Sequence, residues 1–230
     1  MKRCGLGIFV KTPALSPVKT RLWPAIGQQQ ATQMFEHSAD ATHSVVARAM
    51  SRCSMQAYWA VAEATIVHEE RWTGLPTIAQ GAGGLGERMA QVYNQLRRDH
   101  QAAILIGADS PQLSTSAVEA ATTWLGGSEP RLVIGPAEDG GFWLFGGNVE
   151  LPSAAWTQAE YSNADTCNVF RSAMDQYGNW LTLASLRDLD RVDDIQPVAS
   201  ALACVADPTE QQLSLLAFLE QLQIHIEAST

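Results

Sequence analysis

Acidic residues are missing from the first 35 positions of this chain, although acids outnumber bases overall and the formal net charge is −9. So acidic a protein lacks the positive surface that displaces counterions from nucleic acid, and no nucleic-acid partner is expected. Cysteine is scarce: Cys4, Cys53, Cys167 and Cys204 lie far apart, with no C-x-x-C pair and no histidine at metal-ligand spacing. That argues against a zinc site or a disulfide framework and for reduced structural cysteines. Long apolar runs are lacking too. The run after Lys2 and Arg3 stops at Val10, too short for a secretory signal core, and nothing reaches membrane-spanning length. A cytoplasmic protein is expected. Charged residues are only 17% of 230 positions against 46% hydrophobic ones, which permits a sizeable core and speaks against disorder. The length suits a single α/β domain over residues 1–230.

What the acid-free segment does contain is Lys2, Arg3, Lys11, Lys19 and Arg21. The first two read as a solubilising terminus. The other three follow an apolar strand, inside a loop stiffened by Pro13 and Pro17, and three such cations repel one another unless an anion sits among them. Lysine supplies a point charge and arginine a forked donor, and both suit phosphate oxygens.

Apolar, partly β-branched runs predict strands at Gly5–Val10, Gln56–Ala62, Pro76–Ala79, Ala102–Ala108, Leu132–Gly135, Phe142–Phe145 and Trp180–Ala184. Helical patterns are predicted over Gln28–Ser51, Ile66–Trp72, Glu87–Arg98, Ser114–Leu125, Ala164–Tyr177, Gln196–Val205 and Thr209–Glu227. Alternating strands and helices imply an α/β fold with a mostly parallel sheet covered on both faces. Ligands bind such sheets beyond the carboxyl ends of the strands. Lys11, Asp109 and Asp139 each follow a predicted strand, so the polar clusters collect where a site belongs.

Four further motifs carry chemistry, each with a structural alternative. Asp109 in IGADSPQL ends a buried strand, where it either caps a turn with Ser110-Pro111 or holds a divalent cation against a diphosphate. In GPAEDGG, Asp139 precedes Gly140 and Gly141, which a hairpin turn explains equally well, and Phe142 and Trp143 read as core. In DLDRVDD, Asp188 and Asp190 point to one side of an extended segment and could share a metal, while Asp193 or Asp194, with Asp193 favoured, reads as the N-cap of the next helix. Gly81-x-Gly83-x-x-Gly86 fits a dinucleotide fingerprint, but it follows a weak strand outside the first βα unit.

In order, FVKTP with PVKTRL, GGLGERM, IGADSPQL, GPAEDGGFWLFG and DLDRVDDI resemble a family of small bacterial glycosyltransferase-like proteins, some labelled as arsenosugar biosynthesis glycosyltransferases. That family belongs to the nucleotide-diphospho-sugar transferase superfamily, and the resemblance covers roughly residues 5–195. It implies a glycosyltransferase A-type fold. It also implies that Lys11, Lys19 and Arg21 contact nucleotide phosphates and that Glu87 and Arg88 line the nucleotide or help order the site. Asp109 would be a catalytic and metal-binding acid, Asp190 the second metal-proximal acid, and Asp139 a catalytic group facing donor or acceptor. The cofactor implied is Mg²⁺ or Mn²⁺. Ser16 stands where the family usually has Gly, Gly84 where it often has Asp, and Tyr161-Ser162-Asn163 replaces a tryptophan-serine-threonine stretch.

The resulting expectation is a metal-dependent transferase of glycosyl groups from a nucleotide sugar to a small-molecule acceptor. A nucleotidyltransferase releasing pyrophosphate from a nucleoside triphosphate, or a nucleotide-binding protein that has lost catalysis, are the alternatives. The oligomeric state and the base are not legible, and Leu213, Leu216, Leu219 and Leu222 suit either the chain's own sheet or a partner.

Overall fold

The computed structural model describes residues 4–63, 71–161 and 163–228. The expected helix at Ile66–Trp72 therefore falls mostly outside the described residues, as does Ser162.

The chain opens with β1 (Cys4–Val10), whose side chains are buried on both faces, as its unbroken apolar run demands. A loop and one 3-10 turn (Thr20–Leu22) lead to α1 (Trp23–Arg52), which is interrupted at Gly27, where φ is 77° and ψ 159°. The regular helix thus begins beside the expected Gln28. Then come β2 (Met55–Val61), β3 (Thr77–Ala79), α2 (Leu85–Asp99), β4 (Ala102–Gly107), α3 (Thr115–Leu125), β5 (Arg131–Pro136) and β6 (Phe142–Gly147). The last stretch holds α4 (Ser153–Trp156), α5 (Thr166–Met174), β7 (Asn179–Thr182), α6 (Val192–Ala203) and α7 (Glu210–Ala228). The single-turn α4 has no counterpart among the sequence patterns.

Seven strands form one sheet in the order β3-β2-β1-β4-β6-β5-β7, parallel except for β6, which runs against both its neighbours. The order reverses between β1 and β4, and β5 runs the same way as β4. The carboxyl ends of β1, β4, β5 and β7 consequently share one edge.

Side chains alternate across this sheet into two cores. Leu6, Ile8, Trp59, Ile104 and Ile106 pack against α1 and α3 through Phe35, Val45, Val46 and Val118. On the other face Ala103, Leu105, Ile134 and Phe145 meet α2, α4 and α5 through Val92, Tyr93, Trp156 and Phe170. Trp143 is buried, with its indole N–H on the Ala184 carbonyl, so this aromatic serves the core as expected.

The C-terminal helix packs within the chain, on other helices rather than on the sheet. Leu215, Leu219 and Leu222 bury against Met34 and Ala41 of α1 and Ile195 and Val198 of α6, forming an outer layer, while Leu213 stays half exposed. No helix of the described residues is long and apolar enough to cross a membrane. All four cysteines are free, and burial pushes the Cys4 thiol up to about 12, which makes it inert.

One boundary needs correcting. Helix α6 starts at Val192 rather than Gln196, and Asp193 is not its N-cap. Asp194 does the capping from inside the first turn: its carboxylate accepts the N–H groups of Asp190 at 3.0 Å and Arg191 at 2.6 Å.

Candidate active site

The loop after β1 is pinned at its start and its end. Thr12 is buried, donates its N–H to Glu63 Oε2 at 2.9 Å and accepts the indole N–H of Trp72 at 3.0 Å. The N–H groups of Leu15 and Ser16 both donate to the Thr12 carbonyl, closing a tight turn. At the far end Val18 and Leu22 are buried on either side of Lys19, and Trp23 Nε1 donates to the Val18 carbonyl. Between these anchors Lys19 adopts φ 49° and ψ 39°, the only non-glycine at positive φ among the described residues. A left-handed conformation costs a residue with a Cβ about 1–2 kcal/mol, and it persists here because the flanking anchors dictate it. Ser16, by contrast, has ordinary negative φ, so replacing glycine there introduces no backbone strain.

The consequence of that conformation is a buried ammonium. Lys19 Nζ lies 2.6 Å from Asp109 Oδ1, with the lysine side chain 3% exposed and the aspartate 49%. The contact is an ion pair without hydrogen-bond alignment: among the described residues the ammonium has no properly directed acceptor. Its charge is met by Asp109, while its N–H donors are left without a directed acceptor.

The turn carrying Asp109 is clamped from several elements. Ser38 Oγ of α1 donates to the Ala108 carbonyl at 2.5 Å, and Leu189 N donates to the Asp109 carbonyl at 2.8 Å. Gln112 Nε2 donates to the Arg187 carbonyl at 2.6 Å. Buried Gln212, at the start of α7, donates to the carbonyls of Pro111 and Leu113 at 2.8 and 3.0 Å. Ser110 Oγ donates to Asp188 Oδ1 at 2.5 Å, bringing that carboxylate alongside Asp109.

Asp188 is the perturbed acid of the site. Burial is the main reason its pKa rises to about 7; the charge of Asp109 adds to this, and that of Asp139 more weakly, while Ser110 and Lys19 oppose it. Asp190, two residues on, turns elsewhere: its Oδ2 meets Arg21 Nη1 at 2.5 Å. The two alternating acids thus have different partners instead of one shared position. Asp139 accepts the Gly141 N–H at 2.9 Å in the turn joining β5 to β6, where Gly140 at φ 91° backs onto the Ala164 carbonyl. It lines a cleft of about 350 Å³ together with Arg21, Asp188, Asp190 and Arg191.

The remaining expected residues divide. Lys11 is exposed at the head of the loop. Glu87 accepts the Gly84 N–H at 2.7 Å and so caps α2 from its third position. Arg88 Nη1 donates to Gln80 Oε1 at 3.0 Å, and Gln80 in turn donates to the carbonyls of Val10 and Ala60, tying α2 to the ends of β1 and β2. Removing the cap with Glu87→Ala is expected to lower stability by about 1 kcal/mol, while Glu87→Gln keeps most of it. Urea unfolding with an unchanged m-value checks this, and equal loss in both variants would assign Glu87 another role. Sequence reasoning missed Glu63, Gln80, Gln112 and Gln212 as supports of the site. Only Glu63 carried a signal, as an acid just past a buried strand.

This sheet order, with a basic loop after β1 and acids after β4 and β7, defines a nucleotide-diphospho-sugar transferase-type fold, and solved structures agree. A protein provisionally named a nucleotide-diphospho-sugar transferase, from Desulfovibrio desulfuricans G20, superposes with a TM-score of 0.83 at 23% identity, over 99% of this chain and 98% of that one. A cytidylyltransferase from Leptospira borgpetersenii gives 0.56 at 11% identity, covering 98% and 95%. CMP:2-keto-3-deoxy-manno-octonic acid synthetase, solved with CTP, gives 0.52 at 10% identity, covering 87% and 98%. At these identities the likeness establishes the fold. The chain belongs to the family described as uncharacterized protein conserved in bacteria (DUF2064), whose model matches residues 36–163. No curated protein matches it.

Proposed function

We propose that this protein is a metal-dependent transferase that takes a glycosyl group from a nucleotide-diphosphate sugar and delivers it to a small-molecule acceptor. The observation that carries this reading is the buried Lys19 ammonium against Asp109, at the crevice where the strand order reverses. A buried cation without a directed acceptor suits phosphate oxygens, and Arg21 and Lys11 lie on the same loop to hold the rest of the diphosphate.

The residues fit a divalent cation. Asp109 and Asp188 are hard oxygen donors side by side, and a cation between them would relieve the like-charge crowding that raises Asp188. Among the described residues no group of three or more His, Cys, Asp or Glu side chains is arranged to hold a metal. Two carboxylates completed by substrate phosphates is the way magnesium is commonly bound. Asp188 therefore replaces Asp190 as the proposed second ligand, and Asp190 instead orients Arg21. Bound there, Mg²⁺ or Mn²⁺ would stabilise charge developing on the departing diphosphate. Asp139, across the cleft, is the proposed acceptor-side group.

Nucleotidyl transfer is the second reading, favoured by the named activities of the cytidylyltransferase and of the CTP-bound synthetase that share the fold. Phosphorus NMR of reaction mixtures distinguishes the two. Release of a nucleoside diphosphate from a nucleotide sugar supports the glycosyl reading; pyrophosphate released from a nucleoside triphosphate replaces it with the second. Tight nucleotide binding without either product would point to lapsed catalysis.

A further inference from the structure

We infer that the acceptor of the proposed transfer is acidic, a small hydroxylated molecule bearing a carboxylate or phosphate, and that Arg191 and Asn163 grip its anionic group. The inference rests on the proposed function and names the acceptor class of the same site.

The charges of the cleft carry it. Acids outnumber bases among its lining residues, yet each acid already has a partner. Arg187 takes Asp194 at 2.8 Å and Glu138 at 3.5 Å, Arg21 takes Asp190, and Ser110 donates to Asp188. Asp139 accepts a backbone N–H within its own turn. Arg191 lines the same cleft and is exposed, and among the described residues its guanidinium has neither a hydrogen bond nor an ion pair. An arginine left over among so many carboxylates keeps its forked donors free for a ligand anion.

Asn163 adds a second donor to this cleft. Its Oδ1 accepts the Asp165 N–H at 2.8 Å, and its own N–H donates to Thr166 Oγ1 at 3.2 Å. The first bond fixes which end of the amide is oxygen, and Nδ2 has no acceptor among the described residues. Position assigns both donors to the acceptor. The strap runs from Asp188, held beside Asp109 by Ser110, outward to Arg191 at the start of α6. The diphosphate belongs at the inner end, with Lys19 and Asp109. An anion at the outer end stays clear of Asp109 and Asp188, so repulsion is least there, and a hydroxyl of the same molecule is left to face Asp139.

Ligand-detected NMR titrations test this with two matched sets of probes. One is glucose, glucuronate and glucose 6-phosphate; the other is glycerol, glycerate and glycerol 3-phosphate. Each is titrated into the full chain with Mg²⁺, alone and with inorganic pyrophosphate to fill the diphosphate place. With pyrophosphate present, the wild type is expected to bind an acidic probe roughly tenfold or more tightly than its neutral parent. Which acid binds better separates carboxylate from phosphate. In Arg191→Ala the preference should fall to about twofold or less, while Mg²⁺-dependent binding of UDP, GDP, CDP or ADP keeps its wild-type affinity. Asn163→Asp keeps the oxygen for Asp165 but replaces the amide donor with charge, so it should weaken the acids and spare the neutral parents. No preference for acids in the wild type, or a preference kept in Arg191→Ala, would overturn the inference and leave the proposed function standing. Acids displaced by pyrophosphate, or nucleotide weakened as much as acids in Arg191→Ala, would move Arg191 to the diphosphate and overturn it too. Failure of every nucleotide to bind the wild type would overturn the proposed function, whatever the acids do.

Discussion

Asp109→Ala is expected to abolish Mn²⁺-dependent nucleotide binding and, in the same stroke, to destabilise the protein. Two consequences of one deletion account for this. The carboxylate is the proposed first ligand of the cation, so its loss removes the charge that would hold metal against phosphate. It is also the counter-ion of Lys19, whose side chain is almost wholly buried. Removing one partner of a buried pair strands the other charge, which costs several kcal/mol when both are enclosed. Asp109 itself is half exposed, so a loss of about 1–3 kcal/mol is the reasonable scale. Asp109→Asn separates the effects. An amide oxygen still receives the ammonium and preserves much of the stability, yet supplies no charge to the metal. Calorimetry for nucleotide and Mn²⁺, with chemical unfolding of both variants, reads the two quantities. Nucleotide affinity and metal response unchanged in Asp109→Ala would sink the assignment.

Asp188→Asn is expected to do the opposite to stability. The Asp188 carboxyl titrates at about 7 in the folded protein, against an ordinary value of 3.8. Between those values the folded state binds a proton that the unfolded chain has released, so stability falls as pH rises through this window. Below about pH 4 both states are protonated and the penalty vanishes; above about pH 7 it is fully developed. Wild-type stability should therefore drop between pH 5 and 8 by more than that of the variant, whose amide cannot ionise. At pH 8 the asparagine variant should be the more stable, by on the order of 1–3 kcal/mol once partial solvation is allowed for. Ser110 can still donate to its amide oxygen. Stability gained with function lost is what an acid held in place for a ligand should show. Unfolding midpoints measured from pH 5 to 8 decide it. A variant less stable than wild type at pH 8 would mean that Asp188 is held as a structural carboxylate.

Much of this architecture was legible because it is written in local pattern. β1 and β4 read as strands from unbroken apolar runs, and both prove buried on the two faces. The helix break at Gly27 sits at the point where the amphipathic pattern of α1 begins. The basic loop stood out because an acidic chain keeps that segment free of acids. What stayed hidden depends on contacts between remote positions. Nothing local distinguishes Asp188 from Asp190; a serine 78 positions away recruits the first, and Arg21 takes the second. The helical pattern placed a helix start at Gln196, whereas the carboxylate of Asp194 starts it a turn earlier. Gln212 looks like any polar residue of a surface helix, yet it is buried against the carbonyls of the Asp109 turn. Glu87 carried a family role in the nucleotide site, while its visible bond is to the start of its own helix.

Thermal unfolding across a panel of nucleotides and nucleotide sugars, each with and without Mn²⁺, tests the central claim most directly. A ligand that binds only the folded state raises the midpoint with the logarithm of its concentration over its affinity. One base should stand out, its shift should require Mn²⁺, and the sugar-bearing form should match or exceed the plain diphosphate. Shifts that ignore the metal, or no shift from any nucleotide, would contradict a metal–diphosphate site built on Lys19, Asp109 and Asp188.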